Sequence, residues 1–304
     1  MSFKLEEAAM RLIAGELVIF PTETVFGVGA DARNPAAVAK IYAAKGRPAH
    51  NPLIVHVPDT ETAKLYGVFD ARAERLAALF WPGALTLVVP LRSDAGLASA
   101  VTAGLATVAL RVPAHPLAHS LLAHAACPIA APSANLSGRL SPTRAGDVDA
   151  ALLAQATLLD DGSTGAVGVE STIVALDTDG WRLLRPGAVT LEDITAALEE
   201  SPRETGAGIR APGMLTRHYA PQTPLRLNAE AAEPGEAFVG FGHTPGATHM
   251  LSERGDLVDA ARNLYALLHT LDNQGYTAIA IAPIPNAGLG KAVNDRLQRA
   301  ASCA

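Results

Sequence analysis

Apolar residues recur at helical spacing at Leu5, Ala8, Ala9, Leu12 and Ile13, and Gly15 is placed to end the helix they predict. Leu17–Phe20 follows as a four-residue apolar run halted by Pro21, which reads as a buried strand. Asn34-Pro35 offers an N-cap and a first-turn proline, predicting a helix through Ala44. Further strands are expected at Leu53–Val57, Leu85–Val89, Val108–Val112, Thr157–Leu159, Thr172–Leu176 and Arg182–Leu184. Helical spacing covers Arg72–Phe80, Pro116–Ala125, Asp147–Ala154 and Leu191–Glu199, the last opened by a capping-box pair, Thr190 and Asp193. This alternation is the pattern of an α/β domain.

Between Ser201 and Pro224 the periodicity stops, and four prolines and three glycines mark a linker. Arg203, Arg210 and Arg217 face a single acid there, Glu204, so the stretch is expected to carry functional side chains. A smaller α/β unit follows. Phe238–Phe241 and Thr277–Ala282 predict strands, Asp256 caps a helix whose Leu257, Ala261, Leu264, Leu268 and Leu271 share a face, and Gly290–Ala301 predicts a last helix. The expected division is therefore 1–200, a linker over 201–224, and 225–304.

At 49% hydrophobic and 18% charged residues, the chain can bury a sizeable core. Only Cys127 and Cys303 occur, outside any paired spacing, which argues against a disulfide framework or a cysteine-built zinc site and for a reducing cytoplasm. Glu6 and Glu7 stand where a signal peptide needs apolar residues, and no apolar run approaches the roughly 20 residues of a membrane helix, so a soluble protein is expected. The net charge of −6 falls entirely in residues 1–200, with 15 basic against 21 acidic side chains; residues 201–304 balance at 9 each. A long basic track for nucleic acid is absent, so a bound polyanion must meet a local cluster of cations.

Four segments can supply chemistry. Pro21–Gly29 sets Thr22 and Thr24 at the end of a strand, where open α/β sheets place ligands. Lys45–His56 presents Lys45 and Arg47 on a loop shaped by Gly46 and Pro48; a helix end also favours cations, but Arg47 could fork onto phosphate oxygens. Thr107–Pro113 places Arg111 among apolar residues, a rarity unless a carboxylate or phosphate answers it, and no acid is near in sequence. Ala131–Ser141 gathers Ser133, Asn135, Ser137 and Ser141 after a buried run.

Absent patterns narrow the field. There is no G-x-x-x-x-G-K-[ST] loop, and Gly162–Gly168 lacks the dinucleotide fingerprint and reads as a turn. His115 and His119 stand four apart without a following glutamate and are expected to be capping or solvent-facing.

Taken together and in order, PTETVFGVG, KGRPAHNPLIVH, WPGALTLVV, TVALRVP, APSANLSG, GVESTIV and RPGAV resemble the threonylcarbamoyl-AMP synthases, whose catalytic module is the YrdC-like domain. The matches span about residues 12–190, and APGMLTRHYAP with the trailing unit resembles the two-domain form. The resemblance implies a twisted open mixed sheet curved around a basic cavity, plus the smaller C-terminal α/β domain. It implies that Thr24, His56, Arg111, Ala131 and Ser171 contact L-threonine, while Arg47, Asn51, Thr107, Ser133, Ser141, Arg185 and Tyr219 contact ATP. Lys45, Arg47, Ser133 and Asn135 match the family's K-x-R…S-x-N tetrad, assigned to catalysis. Phe26 stands where a tyrosine is usual.

The implied reaction condenses L-threonine, bicarbonate and ATP to threonylcarbamoyl-AMP and pyrophosphate, for threonylcarbamoyladenosine in tRNA next to the anticodon. Mg2+ would ride mainly on the ATP, with no dedicated metal site. The product would pass to a downstream threonylcarbamoyl transferase complex, with weak tRNA contact and no membrane. Both the carbamate and the mixed anhydride are water-sensitive, which makes the 201–224 linker the candidate lid. The rival reading is an RNA-binding module that grips nucleic acid through the same cavity without catalysis.

Overall fold

Asn34 accepts hydrogen bonds from the Ala36 and Ala37 amides and opens a helix over Pro35–Lys45, which Gly46 ends in the left-handed conformation. The computed structural model describes residues 2–204, 211–212 and 219–302. Arg210, Arg217 and half of the candidate lid lie outside those residues.

Among the described residues, nine strands form one mixed sheet: β1 Leu17–Phe20, β2 Gly27–Asp31, β3 Ile54–His56, β4 Leu85–Pro90, β5 Thr107–Arg111, β6 Ile129–Ala130, β7 Ala156–Leu158, β8 Thr172–Asp177 and β9 Gly180–Arg185. Their order is β7-β1-β2-β6-β3-β5-β4-β8-β9. β2 and β6 are the strands that the apolar pattern hides. The first carries two glycines in five residues and the second is two residues long, so neither shows a run. The helix expected over Asp147–Ala154 is broken: Asp149 caps a short helix, Ala150–Leu153, by accepting from the Ala151 amide, and a 3-10 turn occupies Ala145–Asp147. The capping box at Thr190 and Asp193 is present. His115 caps the Pro116–Ala125 helix, and His119 is exposed.

The period of two along the strands sorts the two faces of the sheet. Val55, Val57, Val108 and Leu110 enter a core with Val38, Ile41 and Leu76 of the helices. Ile54 and Ala109 point to the other face, where they pack with Val88, Ile173 and Ala211 of the linker. That second face carries the site.

The C-terminal unit has β10 Leu225–Leu227, β11 Ala237–Phe241, β12 His249–Ser252 and β13 Ile279–Ile281 in the order β10-β13-β11-β12, all parallel. Its helices over Leu257–Asp272 and Gly290–Ala301 share one apolar cluster with Val25, Leu140, Val169 and Tyr219, so the two sheets are joined by common core. No described helix is long and apolar enough to cross a membrane.

Candidate active site

His56 and Arg111 are register partners at the ends of the parallel pair β3 and β5. Both point to the face that Ile54 and Ala109 share, two residues further along. Neighbouring strands of this sheet mostly run in opposite directions, so no single edge collects the carboxyl ends. The cavity accordingly spreads over a face of the sheet, and Thr22 and Thr24, just past the carboxyl end of β1, are among the residues that line it.

An open cavity lies there. Of the residues that the resemblance assigns to threonine, Thr24, His56, Arg111, Ala131 and Ser171 all line it. Of those assigned to the nucleotide, Arg47, Ser133, Arg185 and Tyr219 do. Phe26 keeps an aromatic wall without a hydroxyl. Three cations, Arg47, Arg111 and Arg185, therefore surround one space, as a polyanionic ligand requires.

Each cation is held by specific groups. Arg47 donates to the carbonyls of Asn51 at 3.1 Å and Pro52 at 2.7 Å, and burial lowers it to about 10. Arg185 donates from Nε to the Ser171 carbonyl at 3.1 Å and from Nη2 to Ser171 Oγ at 3.2 Å, and its Nη1 stands 3.5 Å from the Tyr219 hydroxyl. Arg111 reaches Glu23 Oε1 at 2.7 Å and the Gly83 carbonyl at 3.2 Å. Here the fold does deliver the acid that the local sequence lacks. Burial works to raise the Glu23 carboxyl, but the charge and hydrogen bond of Arg111 more than offset it and the net shift is downward.

His56 is buried and held neutral: burial, then the nearby Arg111, lowers it to about 3. Its Nδ1 has no hydrogen-bond partner among the described residues, nor do both amide atoms of Asn51, Asn135 Oδ1 and Glu23 Oε2. Orphaned buried polar atoms are rare, and of these His56 Nδ1 belongs to a residue on the cavity wall, where a polar ligand could answer it.

Five of the expected residues are not on the cavity wall. Lys45 is buried beneath it, with Nζ donating to the Ser133 carbonyl at 2.6 Å and to that of Asn135. Burial, and then the charge of Arg47, pulls it well below the usual lysine range. Lys45 thus pins the loop that carries Ser133. Asn135 stands behind the same loop, donating to the Leu136 and Arg139 carbonyls. Asn51 is fully buried beside Arg47. Ser141 donates to Glu170 Oε1 and meets the site only through it. Thr107 lies at the other end of β5 from Arg111, paired with Pro90.

Sequence reasoning passed over Glu23 and Glu170. Glu170 lines the cavity and is buried, yet it is held at about 2; burial opposes this, and Arg296, Arg185 and Ser141 outweigh it. The signal was available, because an acid within the apolar GVESTIV is as conspicuous as Arg111 within TVALRVP.

A family model described as telomere recombination, covering Sua5, YciO and YrdC, matches residues 11–187. One described as the threonylcarbamoyl-AMP synthase C-terminal domain matches residues 189–302. The threonylcarbamoyl-AMP synthase of Bacillus subtilis is 40% identical over 98% of this chain and 93% of its own. That of Pyrococcus abyssi is 38% identical over 98% and 95%. The crystal structure of P. abyssi Sua5 complexed with L-threonine superposes with a TM-score of 0.90 at 36% identity, covering 99% of this chain and 95% of that one.

Proposed function

From the premise that this chain belongs to the threonylcarbamoyl-AMP synthase family, we propose that its cavity condenses L-threonine, bicarbonate and ATP to threonylcarbamoyl-AMP. The observation that carries this reading is the convergence of Arg47, Arg111 and Arg185 on one cavity beside a neutral His56. One arginine suits an amino-acid carboxylate, and the other two suit a triphosphate.

The chemistry needs no protein nucleophile. Threonine's amine captures bicarbonate with loss of water, giving an N-carboxylate. One oxygen of that carboxylate attacks the α-phosphorus of ATP, and the bond to pyrophosphate breaks. Negative charge gathers on the phosphoryl oxygens in the transition state, where fixed cations and hydroxyl donors act most strongly. Arg111 with Thr24, Ala131, Ser171 and His56 would hold threonine. Arg47, Ser133, Arg185 and Tyr219 would hold the nucleotide, with Asn51, Thr107 and Ser141 as further nucleotide contacts. Lys45 and Asn135 would fix the Ser133 loop.

Mg2+ would arrive with ATP. Glu170 is the one acid among the described lining residues, and Ser141, Tyr265 and Arg296 already engage its oxygens, which does not fit a protein-built metal cage. On this reading residues 1–200 carry the chemistry, 201–224 link, and 225–304 form the second domain. We place the product upstream of a threonylcarbamoyl transfer to tRNA, in the cytoplasm.

Pyrophosphate release should require threonine and bicarbonate together, because the nucleophile is their adduct. Equal release with ATP alone would make the protein a simple hydrolase and end this reading.

A further inference from the structure

Glu170 poses an electrostatic problem. A carboxylate on the wall of a cavity that receives a triphosphate repels its own ligand unless a cation neutralises it. The main answer comes from the C-terminal unit. Arg296, on the Gly290–Ala301 helix and 1% exposed, donates from Nε to Glu170 Oε2 at 2.9 Å and from Nη1 to the Pro186 carbonyl at 2.8 Å. Tyr265, on the Leu257–Asp272 helix and fully buried, donates its hydroxyl to Glu170 at 3.1–3.2 Å. The Arg296 guanidinium also stands 5.2 Å from the centre of the Tyr219 ring, and Tyr219 lines the cavity.

The backbone confirms how tightly the two units are fitted here. Gly168, two residues before Glu170, has φ +81, and a Cβ on it would lie 2.3 Å from Ala261 O and Arg262 Cα of the second unit's helix. Only glycine allows that approach. A buried ion pair is generally no more stabilising than apolar side chains of the same volume. Three polar side chains, Ser141, Tyr265 and Arg296, gathered on one cavity-wall carboxylate therefore point to a role beyond cohesion.

We propose that Arg296 is a positioning residue for the nucleotide half of the active site. With Tyr265 it keeps the Glu170 carboxylate neutralised and fixed, so that Ser141, Arg185 and Tyr219 around it meet the triphosphate in place. The C-terminal unit is then a working part of the catalytic centre. This inference rests on the adenylate-forming reading given above.

The test compares wild type, Arg296→Met, Tyr265→Phe and the double variant Glu170→Gln/Arg296→Met for melting temperature, kcat, and KM for ATP and for threonine. Arg296→Met removes the cation that pairs with the wall carboxylate, so KM for ATP should rise about tenfold or more while KM for threonine moves much less. Adding Glu170→Gln removes the carboxylate charge and keeps an acceptor for Ser141, and KM for ATP should fall back toward the wild-type value. Should Arg296→Met not fold, Tyr265→Phe carries the test, with KM for ATP rising about threefold or more from the lost hydrogen bond. An unchanged KM for ATP in the folded single variants overturns the proposal. So do equal rises for both substrates that Glu170→Gln fails to relieve, since these mark a structural role alone. A wild type that makes no adenylate overturns the underlying reading as well; an active wild type with insensitive variants overturns this inference only.

Discussion

Replacing Arg111 by alanine should produce two separable losses. The guanidinium is 4% exposed and reaches Glu23 Oε1 at 2.7 Å, so it sits in a desolvated setting where charge-assisted bonds are strong. If it holds threonine's carboxylate, its removal should weaken threonine by about 1.5–3 kcal/mol, or about ten- to a hundredfold or more in affinity. ATP affinity should change far less, because Arg47 and Arg185 remain. The second loss is in stability. The Glu23 side chain is 13% exposed and would be left with its cation gone. Leaving a partly buried group unsatisfied costs about 1–3 kcal/mol, below the about 3–5 kcal/mol of a fully buried broken pair. Arg111→Lys keeps the charge but not the fork, and should fall between wild type and alanine. Calorimetric titration of threonine and ATP into each folded variant, with urea melts alongside, measures both losses. An ATP defect as large as the threonine defect would refute the assignment of Arg111 to the amino acid.

Arg47→Ala should lower turnover by about 10²–10³, the usual consequence of removing one preorganised donor, and pyrophosphate release reads it directly; unchanged turnover would return Arg47 to a helix-end role. Lys45→Ala should lower both turnover and melting temperature, because Nζ ties the Ser133 and Asn135 carbonyls together from below; a variant with wild-type values in both would contradict that pinning. Stability should also depend on acid in a defined way. His56 is held down at about 3, and its ordinary value is 6.5, so between these values the unfolded chain binds a proton that the folded one refuses. Unfolding free energy is therefore full above 6.5 and falls with pH by up to about 1.4 kcal/mol per unit. Glu170, held at about 2 against an ordinary 4.5, adds a second decline in the same direction below 4.5. Urea melts across this range should show the fall, and His56→Gln should flatten it; an identical slope in the variant would contradict the buried neutral imidazole.

The sequence made the long elements legible because their signals are local. Asn34-Pro35, the Thr190–Asp193 box and Asp256 each satisfy backbone groups within three residues, and all three caps are where the pattern placed them. β2 escaped because two glycines in five residues leave it no apolar run, and β6 because it is two residues long and takes its pairing from strands distant in sequence; Ala30 meets Ala130 and Val55 meets Ala130. The site shows the same division. The motifs named the residues that line the cavity, but the partners that set their charge come from elsewhere: Glu23 lies 88 residues from Arg111, and Arg296 lies 126 from Glu170. Lys45 shows the opposite limit. Its spacing from Arg47 suggested two cations presented together, yet the fold turns one into the cavity and buries the other under the serine loop.

The central claim is one of covalent outcome, and one measurement reaches it. The protein should be incubated with ATP, L-threonine and isotopically labelled bicarbonate, and the nucleotide products separated and weighed by mass spectrometry. The account predicts an adenylate whose mass equals AMP joined to N-carboxythreonine with loss of water, carrying the bicarbonate label and appearing in step with pyrophosphate. AMP or ADP without a labelled adduct, formed at the same rate when threonine is withheld, would contradict it.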